Sequence, residues 1–168
     1  IIKRSLGELR QGERLDLVIA NAENAANGSG ITPEIYRELT AAGIDCITLG
    51  DHIYRRKEIS PILDRESNIV KPANFPDSAP GRKWTLVQAA DGTQVAVFCL
   101  LGRVYMRPVD CPFLAADRVL AEIPEDVKVR FVDFHAEATS DKQLMGRYLD
   151  GRVSAVLGTH THVATADQ

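Results

Sequence analysis

Four strand-length apolar runs in this chain of 168 residues each end in a polar cluster. Leu17 to Ala20 leads to Glu23-Asn24, Cys46 to Gly50 to Asp51-His52, Phe131 to Phe134 to His135, and Val153 to Leu157 to Gly158-Thr159-His160-Thr161-His162. Helical segments separate several of these runs, and strand-helix-strand alternation is the pattern of a parallel sheet, whose neighbours need crossover connections. Parallel strands end on one sheet edge, so their terminal residues converge although they lie far apart in the chain. Two carboxylates, four imidazoles and a carboxamide would meet there. Divalent first-row ions favour imidazole and carboxylate, and pairs of such ions clamp phosphoryl oxygens, so the pattern points to a two-metal site.

One histidine at a strand end is more often an ordinary hydrogen-bonded residue than a ligand. Here all four histidines of the chain take such positions. His160 and His162 are two apart, which on a continuing strand puts both rings on one face, and Gly158 before them permits a sharp turn that brings both to one site.

Composition narrows the partners. Apolar residues make up 45% and charged residues 26%, as in an ordinary soluble globular domain. With 20 basic and 23 acidic residues the net charge is -3, so no basic field suggests an obligatory nucleic-acid partner, while a nucleotide-sized substrate stays open. No apolar stretch reaches membrane-span length, and the first residues carry no signal-peptide core. Cys46, Cys99 and Cys111 are odd in number and lack Cys-x-x-Cys spacing, which argues for a reducing cytoplasm. Cys46 and Cys99 fall inside strands as small buried hydrophobes.

Along the chain, the first residues are expected to be the tail of a helix with Leu6 and Leu9 as apolar contacts, followed by a strand from Leu15 to Ala20. Thr32-Pro33 is a helix start and Gly43 a stop. A weaker helix is expected over Lys57 to Asp64, irregular chain from Lys71 to Lys83, and a hairpin from Trp84 to Leu101 turning at Asp91-Gly92. Helix, strand, helix and strand then resume over Phe113 to Ile123, Val129 to Phe134, Ser140 to Leu149 and Val153 to Leu157. The hairpin does not belong to a purely parallel sheet. It argues for a mixed sheet, or two packed sheets, flanked by helices in a single domain.

The segments Val18-Ile-Ala-Asn-Ala-Glu-Asn-Ala-Ala26, Gly30-Ile-Thr-Pro33, Thr48-Leu-Gly-Asp-His52, Leu100-Leu-Gly-Arg103, Asp110-Cys-Pro-Phe113, Asp133-Phe-His-Ala-Glu-Ala-Thr-Ser140 and Asp150-Gly-Arg-Val-Ser-Ala-Val-Leu-Gly-Thr-His-Thr-His-Val163 run almost the length of the chain. In this order they resemble the YmdB-like branch of the calcineurin-like metallophosphoesterases. The resemblance implies a two-sheet α/β sandwich with helices outside, and hydrolysis of small phosphodiesters such as cyclic nucleotides by a hydroxide bridging two transition-metal ions, with iron, manganese and zinc all suited to the ligands. It implies that Glu23 bridges the ions, that Asn24 and His162 serve the first, that Asp51, His135 and His160 serve the second, and that His52 is a catalytic imidazole. His52 as an orienter of Asp51 stays open beside that role.

The chain departs from the family pattern in three ways. No Gly-Asp strand precedes Ile1, no further strands follow His162, and Asp51 stands where Asn is usual, adding a negative charge. The expectation is therefore a partial domain, incomplete at both ends. A binding or regulatory domain without turnover, a capsule-synthesis-type phosphatase and an amidohydrolase are the competing readings. The last two fit less well, because the Asn-Ala-Glu-Asn-Ala-Ala segment is foreign to the first and the late His-x-His to the second. Glu137 and Arg103 carry less weight: a solvated carboxylate or an imidazole acceptor for the former, an ion pair or a phosphate contact for the latter. Gly28-Ser29-Gly30 is a weak phosphate-loop pattern.

Overall fold

The computed structural model describes residues 2–165. Its elements run α1 (Ile2–Gly12), β1 (Ile19–Asn21), α2 (Pro33–Ala41), β2 (Cys46–Thr48), a 3-10 turn at Lys57–Ile59, α3 (Ser60–Arg65), β3 (Trp84–Gln88), β4 (Gln94–Leu101), α4 (Pro112–Glu122), β5 (Val129–Ala136), α5 (Thr139–Leu149) and β6 (Ala155–His160). Thr32 Oγ1 accepts the Ile35 amide at 3.3 Å and Pro33 opens α2, where its missing N–H has no helical partner to lose. Gly43, at φ 102°, reverses the chain after that helix.

Two expectations for the first segment need correction. Leu9 is 50% exposed and does not join Leu6 in the core. The docking face of α1 is instead Leu6 with Arg10, one turn on, whose guanidinium donates to the Gly43 carbonyl at 2.8 Å and pairs with Asp45 at 3.0 Å. The first strand starts at Ile19 rather than Leu15, because the Val18 amide donates to the Asp45 carboxylate at 2.7 Å and the Asp16 carbonyl accepts from the Ala90 amide. Those backbone groups are committed outside the ladder.

β1 and β2 pair in parallel, Ile19 opposite Cys46 and Asn21 opposite Thr48. The larger sheet has the order β3-β4-β5-β6, with β3 antiparallel to β4 and the other neighbours parallel. The hairpin thus supplies an antiparallel edge to a mixed sheet. Strand alternation then sorts the side chains into layers. Val95, Val97 and Phe131 pack with Cys46 and Ile19 between the two sheets, whereas Ala96, Phe98, Leu100, Val132 and Phe134 pack under α4 and α5. A third cluster joins Tyr36 of α2 and Leu63 near the end of α3 to Ile47 and Leu49, covering the outer side of the small sheet. The result is a two-sheet sandwich with helices on both outer faces. No helix among the described residues is long and apolar enough to cross a membrane.

Candidate functional site

On β5, Asp133 and His135 alternate with Val132 and Phe134, so they point away from α4 and α5 into the layer shared with the small sheet. Both are buried, and a buried charge needs partners. Asp133 accepts from Asn21 Nδ2 at 2.8 Å, Thr48 Oγ1 at 2.5 Å and Thr159 Oγ1 at 2.6 Å, which ties β1, β2 and β6 to β5. Parallel register sets His135 opposite Thr159, and their Nδ1 and Oγ1 atoms lie 2.8 Å apart. Thr159 has one hydroxyl proton, donated to Asp133, so it accepts from His135 Nδ1–H. Nε2 of His135 is thereby aimed at the sheet edge.

At that edge Nε2 lies 3.1 Å from Asp51 Oδ1, 3.3 Å from Glu23 Oε1 and 3.1 Å from His160 Nδ1. His160 Nε2 is 3.0 Å from Glu137 Oε2, and an N–H donated there leaves Nδ1 as the nitrogen facing the cluster. Glu137 is therefore an imidazole partner and not merely a solvated carboxylate. His160 takes φ 97° and His162 φ 55°, a strained reversal for non-glycine residues that ends β6. The turn is made by the histidines themselves, because Gly158 lies within β6, where a Cβ would press on the Lys142 side chain.

Glu23 is fixed by its backbone and neighbours: Oε2 accepts the His52 amide at 3.0 Å and Oε1 accepts Asn24 Nδ2 at 3.0 Å. Asn24 Oδ1 then faces His52 Nδ1 at 2.7 Å, and its Nδ2 lies 3.3 Å from His162 Nε2. His52 Nε2 is 3.7 Å from Asp51 Oδ2. Gly50 permits the close approach of the Asp51-His52 segment, because a Cβ there would strike Glu23 Oε2 and the His135 ring. A cavity of about 540 Å³ opens along this edge, lined by Glu23, Asn24, His135, His160 and His162 with apolar walls from Leu39 and Ile44.

Electrostatics hold the cluster together. Burial raises the Glu23 carboxyl, but hydrogen bonding and charge pairing with His135, aided by the His52 amide, bring it below its ordinary value. The His135 hydrogen bond, opposed by burial and helped by the neighbouring imidazoles, holds Asp51 at about 2. Burial works against a charged His135, yet its bonds to Asp51 and Glu23 raise it to about 9. The proton on Nε2 supplies the positive charge between two carboxylates.

A metal ion can take that role. Glu23, Asp51, His135 and His160 each offer one ligand atom, all within 4.8 Å of one another. Two carboxylates and two correctly tautomerised imidazoles fit a divalent transition metal. Asn24 and His162 sit beside this group, in contact with each other and, through Asn24, with Glu23. Asp133, Thr159, Thr48 and Asn21 do not stand out in the sequence as site residues. The i, i+2 spacing of Asp133 and His135 is the signal that could have found the first of them. Arg103 is exposed, and its backbone alone is engaged among the described residues: its amide donates to Asp141 Oδ2 at 3.0 Å and its carbonyl accepts the Met106 amide at 3.3 Å. Gly28-Ser29-Gly30 forms a turn in which the Ala26 amide donates to the Gly30 carbonyl.

Known proteins resemble this chain over almost its whole length. A family model described as YmdB-like protein matches residues 1–168. The 2',3'-cyclic-nucleotide 2'-phosphodiesterase of Bacillus subtilis (strain 168) is 47% identical over 167 residues, covering 99% of this chain and 63% of that protein. A putative phosphatase/phosphodiesterase of Mycoplasma genitalium is 33% identical, covering 99% and 60%. The chain thus spans about three fifths of the length of these curated relatives. Among solved structures, a hypothetical protein from Thermus thermophilus superposes with a TM-score of 0.91 at 44% identity, covering 99% of this chain and 64% of that one. A novel phosphatase from Mycoplasma pneumoniae gives 0.88 at 31%, covering 99% and 60%.

Proposed function

Since the chain belongs to the YmdB-like protein family, we propose that it carries the metal centre of a phosphodiesterase acting on small phosphodiesters such as cyclic nucleotides. One observation carries this reading: four ligand atoms from Glu23, Asp51, His135 and His160 converge within 4.8 Å, with each imidazole oriented by a partner behind it. The name of the Bacillus subtilis relative supports the substrate class. In this reading one ion takes Asp51, His135 and His160, a second takes Asn24 and His162, and Glu23 is shared. Iron, manganese or zinc bound there supplies Lewis acidity toward phosphoryl oxygens and acidifies water.

The chain's own groups do the rest. Asp133 and Thr159 hold the His135 tautomer, and Glu137 holds that of His160. His52 donates Nδ1–H to Asn24 Oδ1, which leaves Nε2, on the side of Asp51, as the nitrogen through which the imidazolium form gives up a proton. From there it protonates a departing alkoxide. The free thiols Cys46, Cys99 and Cys111 support a reducing compartment such as the cytoplasm.

The test is metal analysis of the complete gene product together with hydrolysis of a 2',3'-cyclic nucleotide and of an activated aryl phosphodiester. Two transition-metal ions per chain and turnover abolished by chelation are expected. Turnover that survives complete metal removal overturns the reading, and full turnover with one ion removes the pair. His52→Ala is expected to cost roughly 10²-fold on the poorer leaving group and less on the aryl ester. Equal losses assign His52 to orienting Asp51.

A further inference from the structure

Resting on the phosphodiesterase reading above, we propose that Arg107 is the phosphate clamp of this site, holding the non-bridging oxygens of the substrate. In that reading the ions held by Glu23 and Asp51 would offset those carboxylates, and a fixed positive side chain beside them would add further contacts to an anionic substrate. Arg107 Nη1 donates to the main-chain oxygen of Asp51 at 3.2 Å, placing the guanidinium against the segment that carries Asp51 and His52. Its Cζ lies 6.0 Å from the centre of the Phe75 ring, which supports the planar group from behind. Arg107 has no carboxylate partner among the described residues, so most of its five N–H donors remain available in a fork that matches phosphate oxygens.

The loop that bears Arg107 is fastened at both ends. Buried Asn74 donates to the carbonyls of Leu101 and Asp110 at 2.9 and 3.0 Å and accepts the Leu101 amide at 2.8 Å. An arginine on such a loop loses less freedom on binding a ligand than one on a free surface chain. Arg103 shares the loop but its side chain makes no hydrogen bond or ion pair among the described residues, so it serves as the control.

The experiment is calorimetric titration of inorganic phosphate into the metal-loaded complete gene product, with KM measured for an aryl phosphodiester. Arg107→Ala is expected to weaken phosphate binding and raise KM by roughly 10- to 100-fold, the range for charge-assisted hydrogen bonds, with metal content unchanged. Arg107→Lys should recover part of the loss, because it restores charge without the fork. Arg103→Ala should match the wild type. Phosphate affinity of Arg107→Ala within twofold of the wild type overturns the proposal, as does a wild-type protein that binds no phosphate. A wild type that binds phosphate but hydrolyses nothing refutes the phosphodiesterase reading, and the same Arg107 comparison still decides the clamp.

Discussion

Gly50→Ala adds one carbon at the most crowded point of the cluster. An ideal Cβ at this position lies 2.5 Å from His135 Nε2 and 2.6 Å from Cδ2, and also overlaps Glu23 Oε2. Nine in ten real Cβ contacts are longer than 3.4 Å, so relief at His135 Nε2 alone demands about 0.9 Å of movement, and the Glu23 carboxylate must move further. His135 is 1% exposed and held through Nδ1, and Glu23 is 2% exposed, so neither ring nor carboxylate can swing aside into solvent. Metal-ligand distances tolerate only about 0.2 Å. A displacement near 1 Å typically costs about 10²-fold, and a loss of that size is expected in metal affinity and in turnover. The fold itself should survive. Gly50 is not among the positive-φ glycines, so alanine suits its backbone and stabilises through the unfolded chain by about 0.4–1 kcal/mol, against an overpacking cost of about 1–3 kcal/mol. The assay is metal titration with circular dichroism and thermal unfolding of the metal-free protein in parallel. A folded Gly50→Ala protein with wild-type metal affinity and turnover refutes the reasoning, since the close approach would then be dispensable.

Thr159→Val keeps the shape of the side chain but leaves Asp133 Oδ1 and His135 Nδ1 without their shared hydroxyl, so metal affinity should fall by about 10- to 100-fold and Thr159→Ser should recover it. Unchanged affinity in the valine variant removes the relay from the site. The raised value of His135 has two consequences. A metal needs the neutral imidazole, so the dissociation constant should improve toward pH 9 and level off above it; equal constants at pH 7 and pH 9.5 contradict this. In the metal-free protein, the ion pairing of His135 stabilises fully below its ordinary value of 6.5 and is lost as pH rises through about 9, so thermal stability should fall over that window, most clearly when metal is absent. A midpoint that is flat or rising from pH 7 to 9.5 refutes the assignment of that charge to the folded cluster.

Much of the architecture is legible in residue order because it depends on local rules. Thr32-Pro33 and Gly43 bound α2 through capping and backbone freedom, and Asp91-Gly92 with alternating neighbours marks the β3-β4 hairpin. The strand-end positions of Glu23, Asp51, His135 and His160 follow from the same periodicity. Leu9 shows where local rules stop: its spacing from Leu6 suits one helix face, but the Arg10 contacts with Gly43 and Asp45 decide how α1 is rotated.

Residue order is enough to dictate the alternation of elements and the residue types that reach the sheet edge, since both depend on neighbours within a few positions. Which atoms face one another at that edge is settled by packing. Asp133 meets Asn21 across 112 positions and Thr48 across 85, and parallel register places Thr159 beside His135. Nothing local distinguishes Asn21, Thr48 and Thr159 from others of their kind. The need for Gly50 and the place of Arg107 at the Asp51 carbonyl arise likewise from segments brought together in the folded chain, because excluded volume and hydrogen bonding act on distance in space, not on separation along the sequence.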